Sequence, residues 1–164
     1  RREEAFGIHQ ALAGAAAAYA NARLAGHPVI GLIVGKAMSG AFLAHGYQAN
    51  RLIAFNDKGV LIHAMGKESA ARITLRTVDA LEKLAATLPP MAYDISNYAT
   101  LGLLSNLLDI SNPDAPSEND LTQVKTTLQQ AIHDARQDNT LKNRLGADNR
   151  RSSALVRERM RASW

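Results

Sequence analysis

The residues with the clearest chemical potential in this 164-residue chain are Gly35-Lys36-Ala37-Met38-Ser39-Gly40-Ala41 and the two histidines that follow, His45 and His63. The stretch reads as a turn between an apolar strand and a helix, with almost no side chain around Ser39. The first N–H groups of a helix have no partner inside it and lie at the positive end of its dipole. With Gly40 and Ala41 in that place, an anionic oxygen can come close to the backbone. Donors fixed in this way stabilise negative charge developing on an oxygen, which is the working principle of an oxyanion hole. The reading makes the N–H groups of Gly40 and Ala41 the donors, Ser39 the N-cap that shapes the turn, and Gly35 the residue that permits a sharp entry.

The neighbouring side chains each admit two readings. Lys36 could attract a carboxylate or a phosphate, or stay solvated. His45, one turn further on, is a proton donor or a core histidine bonded to backbone. His63 lies 24 positions after Ser39, a spacing that suits a base for a serine nucleophile with Asp109 as third member, or an ordinary strand residue. No two of the five histidines have metal spacing, and the absence of cysteine excludes disulfides and thiolate metal sites. Zero cysteine also fits a cytoplasmic protein.

Elements must position these groups. Val29 to Val34, introduced by Pro28, is an apolar β-branched strand. Ala41 to Ala44 is apolar on every face, which predicts a buried helix. Upstream, residues 3–25 read as a helix with Phe6, Ala13, Ala16 or Ala17, and Leu24 on one face. Its Gly14 and the four following alanines make a bare surface for close packing. Downstream come a strand over Arg51–Phe55, a turn at Asn56–Gly59, a strand over Val60–Ala64, and helices from Lys67 to about Leu75 and from Thr77 to Leu88. Pro89-Pro90 stops the second helix. Residues 93–108 read as a loop and then an apolar helix carrying Tyr98, Leu101, Leu104, Ser105 and Leu108. Ser111–Pro116 is a linker, and Ser117 with Asp120 resembles a capping box opening an amphipathic helix that could reach Leu145, with Gly146 as its stop. Only three strands are convincing, a small sheet for an α/β domain, and no internal repeat is visible. Strands missing at the N-terminus, or a partner chain, would complete the layers.

The formal charge of +4 is unevenly placed: Arg136 to Trp164 carries eight Lys/Arg against three Asp/Glu, a net of +5, and the rest is at −1. A body so near neutrality argues against a nucleic-acid-binding domain. No run of 18 uncharged apolar residues exists to cross a membrane, and no secretory signal is present. The basic tail is either a solvated extension or a docking element for an acidic partner. The chain begins without Met, which points to a piece of a longer polypeptide.

The run from His27-Pro28 to Ile73 resembles the crotonase-type fold as carboxyltransferases use it, and in particular the gamma subunits of biotin-independent malonate decarboxylases. The resemblance rests on Gly35-Lys36-Ala37-Met38-Ser39-Gly40-Ala41-Phe42-Leu43. Arg51-Leu52-Ile53-Ala54-Phe55 and His63-Ala64-Met65-Gly66-Lys67-Glu68-Ser69-Ala70-Ala71-Arg72-Ile73 support it. It extends less distinctly over Leu101 to Asn112 and covers about two-thirds of the chain, leaving the tail without family meaning.

The resemblance implies an α/β, crotonase-like spiral of short strands and helices with its N-terminal part absent and a helical C-terminal region. The implied division is residues 1–112 as the carboxyltransferase-type domain, 113–146 as an amphipathic helix, and 147–164 as a basic tail. It implies a homologous beta subunit with the active site between the two chains. The implied substrate is malonate held as a thioester on the phosphoribosyl-dephospho-CoA arm of an acyl carrier protein, with no biotin and no metal in the step. Catalytic candidates are Gly40, Ala41, Ser39 and His45; substrate-binding candidates are Gly35, Lys36, Met38 and His63. Lys67 and Arg72 either meet the arm's phosphate or, as is commoner for such residues, form an exposed helical face. Two rivals stand beside this reading. The Clp protease family shares the fold and has a similar Ala-Ser-Met-Gly-Ala-Phe-Leu stretch, here with serine and methionine exchanged, so Ser39 and His63 could belong to a serine hydrolase. The chain could also be a scaffold subunit without chemistry.

Overall fold

In the computed structural model, which describes residues 2–88, 91–144 and 148–164, the long N-terminal helix is broken at Gly7. Gly7 takes a φ of 80°, open to a residue without Cβ, and divides the segment into α1 (Arg2–Ala5) and α2 (Ile8–Leu24). The predicted packing face is wrong: Phe6 is 89% exposed and Leu24 73%. The half-buried stripe is instead Leu12, Ala15, Ala16, Ala20 and Arg23, and Gly14 faces open space, not a close neighbour. A helix so rich in alanine has little hydrophobic contrast to announce its inner face.

The next elements wind as a repeating unit that the sequence does not display. Strand β1 (Ile30–Ile33) is followed at once by β2 (Lys36–Met38) and then α3 (Ser39–His45). Strand β3 (Arg51–Phe55) is followed by β4 (Leu61–His63) and then α4 (Lys67–Ile73). Each unit gives its first strand to one sheet and its second strand to another. After α5 (Val78–Ala85) and α6 (Ile95–Ala99), β5 (Asn106–Leu108) opens a third turn. The result is a three-stranded parallel sheet in the order β1-β3-β5 and a two-stranded parallel sheet of β2 and β4. Registers are Ile30 opposite Arg51, Ile53 opposite Asn106, and Met38 opposite His63.

Strand β3 is the centre of the core, with Leu52, Ile53 and Ala54 at most 1% exposed. Leu52 and Ala54 pack with Ile33, Val60, Ile62, Ile95, Tyr98 and Leu104. Ile53 points the other way, onto Leu108 and Ala131, with Val124 and Leu128 beside it. The last three belong to α7 (Glu118–Gln137), so both faces of the sheet are covered. That is why Leu52-Ile53-Ala54-Phe55 reads as an unbroken apolar run rather than an alternating one. Full burial of Ile53 contributes roughly 1.5–3 kcal/mol. Gly31 allows close packing here, since a Cβ would stand 2.7 Å from Cδ2 of the buried Leu52, which would have to shift.

Three sequence expectations are corrected. The apolar helix expected to follow a loop within residues 93–108 does not run to Leu108: α6 has five residues, Gly102 turns the chain at φ 76°, and β5 follows. A short apolar run in a buried strand cannot be told from a helix by periodicity. The amphipathic helix starts as predicted, with the reciprocal Ser117–Asp120 capping box, but stops at Gln137, where Asp138 accepts from the Thr140 N–H at 2.9 Å. The supposed linker is tied down, because the Ser111 N–H and hydroxyl both donate to Asp120. Those bonds and the two from Ser117 hold the Asp120 carboxyl well below the usual carboxylate range. The predicted stops at Pro89-Pro90 and Gly146 lie outside the described residues.

The segment after α7 is bound to the body before it becomes α8 (Arg151–Ser163). The Arg144 guanidinium donates to the carbonyls of Tyr47 and Ala49, and Asn149 Nδ2 donates to the Leu104 carbonyl at 2.9 Å. Among the described residues no helix is long and apolar enough to cross a membrane.

Candidate active site

The turn between β2 and α3 has no loop at all. Met38 is the last strand residue and the N-cap, and Ser39 is already helical. The price is paid at Ser39, which takes φ 64°; only Leu75 among the other described non-glycine residues has a positive φ. A left-handed L-residue costs roughly 1–2 kcal/mol. Ser39 is therefore not the N-cap that its type suggested, and no side chain caps α3. Its first N–H groups are left without a capping acceptor on an exposed surface, since Ser39, Gly40 and Ala41 are all exposed. The expectation of a buried helix is thus reversed at its start: the small residues there keep the surface open. A Cβ on Gly40 would meet nothing within 4 Å. Gly35 has the same freedom and no positive φ, so the sharp entry assigned to it is taken by Ser39 instead.

The predicted site residues fall into two groups. The first group sits at the ends of β2 and β4, where Met38 and His63 are opposed in register next to Ser39. The His63 ring stacks on Tyr93 with centroids 3.9 Å apart and planes 11° apart. Its Nδ1 and the Tyr93 hydroxyl are both buried without a hydrogen-bond partner. Burial pushes the His63 imidazole below the ordinary histidine value, with the Met65 backbone pulling weakly the other way. Burial likewise raises the Tyr93 phenol, against the pull of Lys67, whose Nζ lies 5.5 Å from the ring centroid. Lys67 itself is paired with Glu82 at 2.7 Å.

The second group lines a cavity of about 420 Å³ whose walls include Gly35, Lys36, Phe42, His45, Tyr19 and the residues of β1. The His45 ring stacks on Tyr19 at 5.6 Å, and its buried Nδ1 has no partner. Gly40, Ala41, Met38 and His63 do not line this cavity. Sequence reasoning missed Tyr93 and Tyr19, the two aromatic platforms. Nothing local marks them, since each meets its histidine only through the fold.

The hydrolase constellation is not assembled. Asp109 Oδ1 accepts from Asn56 Nδ2 at 2.7 Å, beyond the ends of β3 and β5, while His63 Nδ1 has no acceptor to orient it. A serine triad needs that third group on the imidazole. Among the described residues no group of three or more His, Asp or Glu is placed to hold a metal ion.

Comparison with known proteins places this geometry in a family. A solved Pseudomonas malonate decarboxylase hetero-tetramer, in complex with coenzyme A, contains a chain 64% identical to this one, with a TM-score of 0.87, covering 100% of this chain and 63% of its own. The malonyl-S-ACP:biotin-protein carboxyltransferase MADD of Malonomonas rubra is 36% identical over 110 residues, 66% of this chain and 38% of that protein. Transcarboxylase 12S superimposes with a TM-score of 0.60 at 21% identity, over 82% of this chain and 25% of its own, a likeness of fold alone. The fold is accordingly crotonase-like, and the chain spans less than two thirds of the length of these relatives. The family model of the malonate decarboxylase gamma subunit matches residues 1–164, and the chain belongs to that family.

Proposed function

We propose that this chain is one half of a biotin-independent decarboxylase that converts a malonyl thioester on an acyl carrier protein to the acetyl thioester and CO2. It would act in the cytoplasm with a homologous beta subunit. The observation that carries the reading is the uncapped, exposed start of α3 behind a strained Ser39. In the reaction the bond between the malonyl methylene carbon and its carboxylate breaks. The electron pair passes into the thioester as an enolate, CO2 departs, and the carbon takes up a proton. Charge therefore builds on the thioester oxygen, where the N–H groups of Gly40 and Ala41 are positioned to donate. They need no reorganisation, because the backbone of α3 already holds them.

The other candidates take supporting roles. His45 is about 7.5 Å further along the helix axis than Gly40, from a rise of 1.5 Å per residue. In this reading it touches the arm that carries the acyl group, not the enolate carbon, and Lys36 at the cavity rim meets the arm's anionic groups. Met38 and His63, with Tyr93 behind the imidazole, form the wall beside the oxyanion. The division into a carboxyltransferase-type domain (1–112), a segment built on the amphipathic helix Glu118–Gln137 (113–146) and a basic tail (147–164) belongs to the same proposal. A coenzyme A complex of the Pseudomonas enzyme is consistent with a CoA-like arm.

Gly40→Val in the co-expressed complex tests the reading. Space beside Gly40 is open, so the fold is spared while the approach to the amides is blocked. The expected result is a loss of kcat of about 100-fold, the scale of removing one oxyanion donor, with the complex intact by size exclusion. Unchanged kcat, or loss of assembly, would favour a scaffold subunit. Ser39→Ala should keep most of the activity, and a fluorophosphonate should not label Ser39; the reverse on both counts would restore the hydrolase.

A further inference from the structure

Among the described residues, the hydrogen bonds from helix α8 to the body all come from its first turn. Ser152 N–H donates to the Thr100 carbonyl at 3.3 Å, the Ser152 and Thr100 hydroxyls are 3.0 Å apart, and Ser153 Oγ donates to the Leu101 carbonyl at 3.0 Å. From Ala154 to Trp164 every residue is exposed. A 13-residue helix with no buried residue is marginal on its own in water, so its outer turns are expected to gain stability from a partner.

Its surface is organised. Val156, Met160 and Trp164 recur at i, i+4 and i+8 and form one apolar stripe, exposed by 45%, 65% and 107%. At 100° per residue, Arg157 and Arg161 border that stripe on one side and Arg159 on the other, while Glu158, the one acid of the helix, falls away from it. None of these arginines has an ion-pair partner among the described residues. The fit is to a partner with a small apolar patch ringed by carboxylates. A second copy would bring like charges together, and the body, at −1 over residues 1–135, offers no comparable basic surface.

We infer that the α8 face formed by Val156, Met160, Trp164 and the flanking Arg157, Arg159 and Arg161 docks the acidic carrier protein that delivers the thioester to the Ser39–Ala41 turn. This rests on the decarboxylase reading, and the test separates the two. Arg157→Glu with Arg161→Glu is made in the co-expressed decarboxylase complex. Turnover is measured with the malonyl-loaded carrier protein and with malonyl-CoA, and carrier binding by fluorescence anisotropy. The expected result is a rise in KM and in Kd of about 10-fold for the carrier at low salt. The gap should narrow as salt shortens the Debye length, and malonyl-CoA turnover should be unchanged. Equal losses with both substrates would make α8 structural, and no change with either would place docking elsewhere; both overturn the inference. Carrier binding unaffected while the wild-type helix is drawn to phosphatidylserine vesicles would assign α8 to a membrane surface and also overturn it. A wild-type complex that turns over neither substrate sinks the decarboxylase reading, while weakened carrier binding by the variant would still uphold the docking face.

Discussion

The two complete turns of the spiral have the same order of elements and different ends. In the first, β2 passes directly into α3, and the missing loop is absorbed by one left-handed residue, Ser39. In the second, Ala64, Met65 and Gly66 separate β4 from α4, and Gly66 caps the helix in an ordinary extended conformation, φ −66° and ψ 157°. Neither helix has a side-chain cap. What differs is cover. Ala70 and Ala71 of α4 are buried with Leu81 of α5 and with Tyr93, whereas α3 begins with three exposed residues. The same unit is thus closed by packing in one place and left strained and open in the other. Strain kept beside unpaired donors is characteristic of sites where the chain does chemistry.

The largest effect should come from blocking the two helix starts in turn. Gly40→Val is expected to lower kcat about 100-fold, and Gly66→Val to leave it within about twofold, because in the proposed function only the first start receives the thioester oxygen. A Cβ on Gly66 meets Glu68 Oε2 at an ordinary 3.6 Å, so the control variant folds. Equal effects on kcat would erase the distinction. Next in size is a matched overpacking pair. Ala71→Leu should destabilise by about 1–3 kcal/mol, as extra methylenes in a packed core do, and Ala41→Leu by less than about 0.5 kcal/mol. Urea unfolding with unchanged slope checks both, and a costly Ala41→Leu would mean that α3 is covered after all.

Ser39→Gly sharpens the strain argument. Releasing the left-handed Cβ should stabilise the fold by about 1 kcal/mol and keep decarboxylation, whereas a neutral or negative change would deny the strain. The smallest effect concerns His63. Burial lowers its folded-state pKa, so the unfolded chain binds more protons through the histidine range. Its contribution is present above the unfolded value near 6.5 and is lost as pH falls through the folded value. His63→Gln should flatten that part of the stability profile and leave the acid loss from Asp120 in place at lower pH.

Much of the fold was legible. The strands around Arg51–Phe55 and Val60–Ala64, and the Ser117–Asp120 cap, are local signals of burial and hydrogen bonding, and they formed within a residue or two of expectation. The chemically suggestive Gly35–Ala41 run was also legible, but its geometry was not. Serine is a favoured N-cap, and nothing in Met38-Ser39-Gly40 says that β2 and α3 would meet without a loop. Strand β2 owes its existence to β4, which lies 23 residues away in the chain, and β5 to β3, so neither had a local pattern strong enough to stand alone.

The amino-acid order by itself determined composition, charge distribution, the apolar strand β3, and the small residues that leave Gly40 and Ala41 bare. Those are properties of residues and of their immediate neighbours. The tertiary structure alone decided that Ser39 is left-handed, that His63 rests on Tyr93 and His45 on Tyr19, and that α3 starts in the open. Each of these depends on where distant segments pair and which surfaces are left after the two sheets have formed.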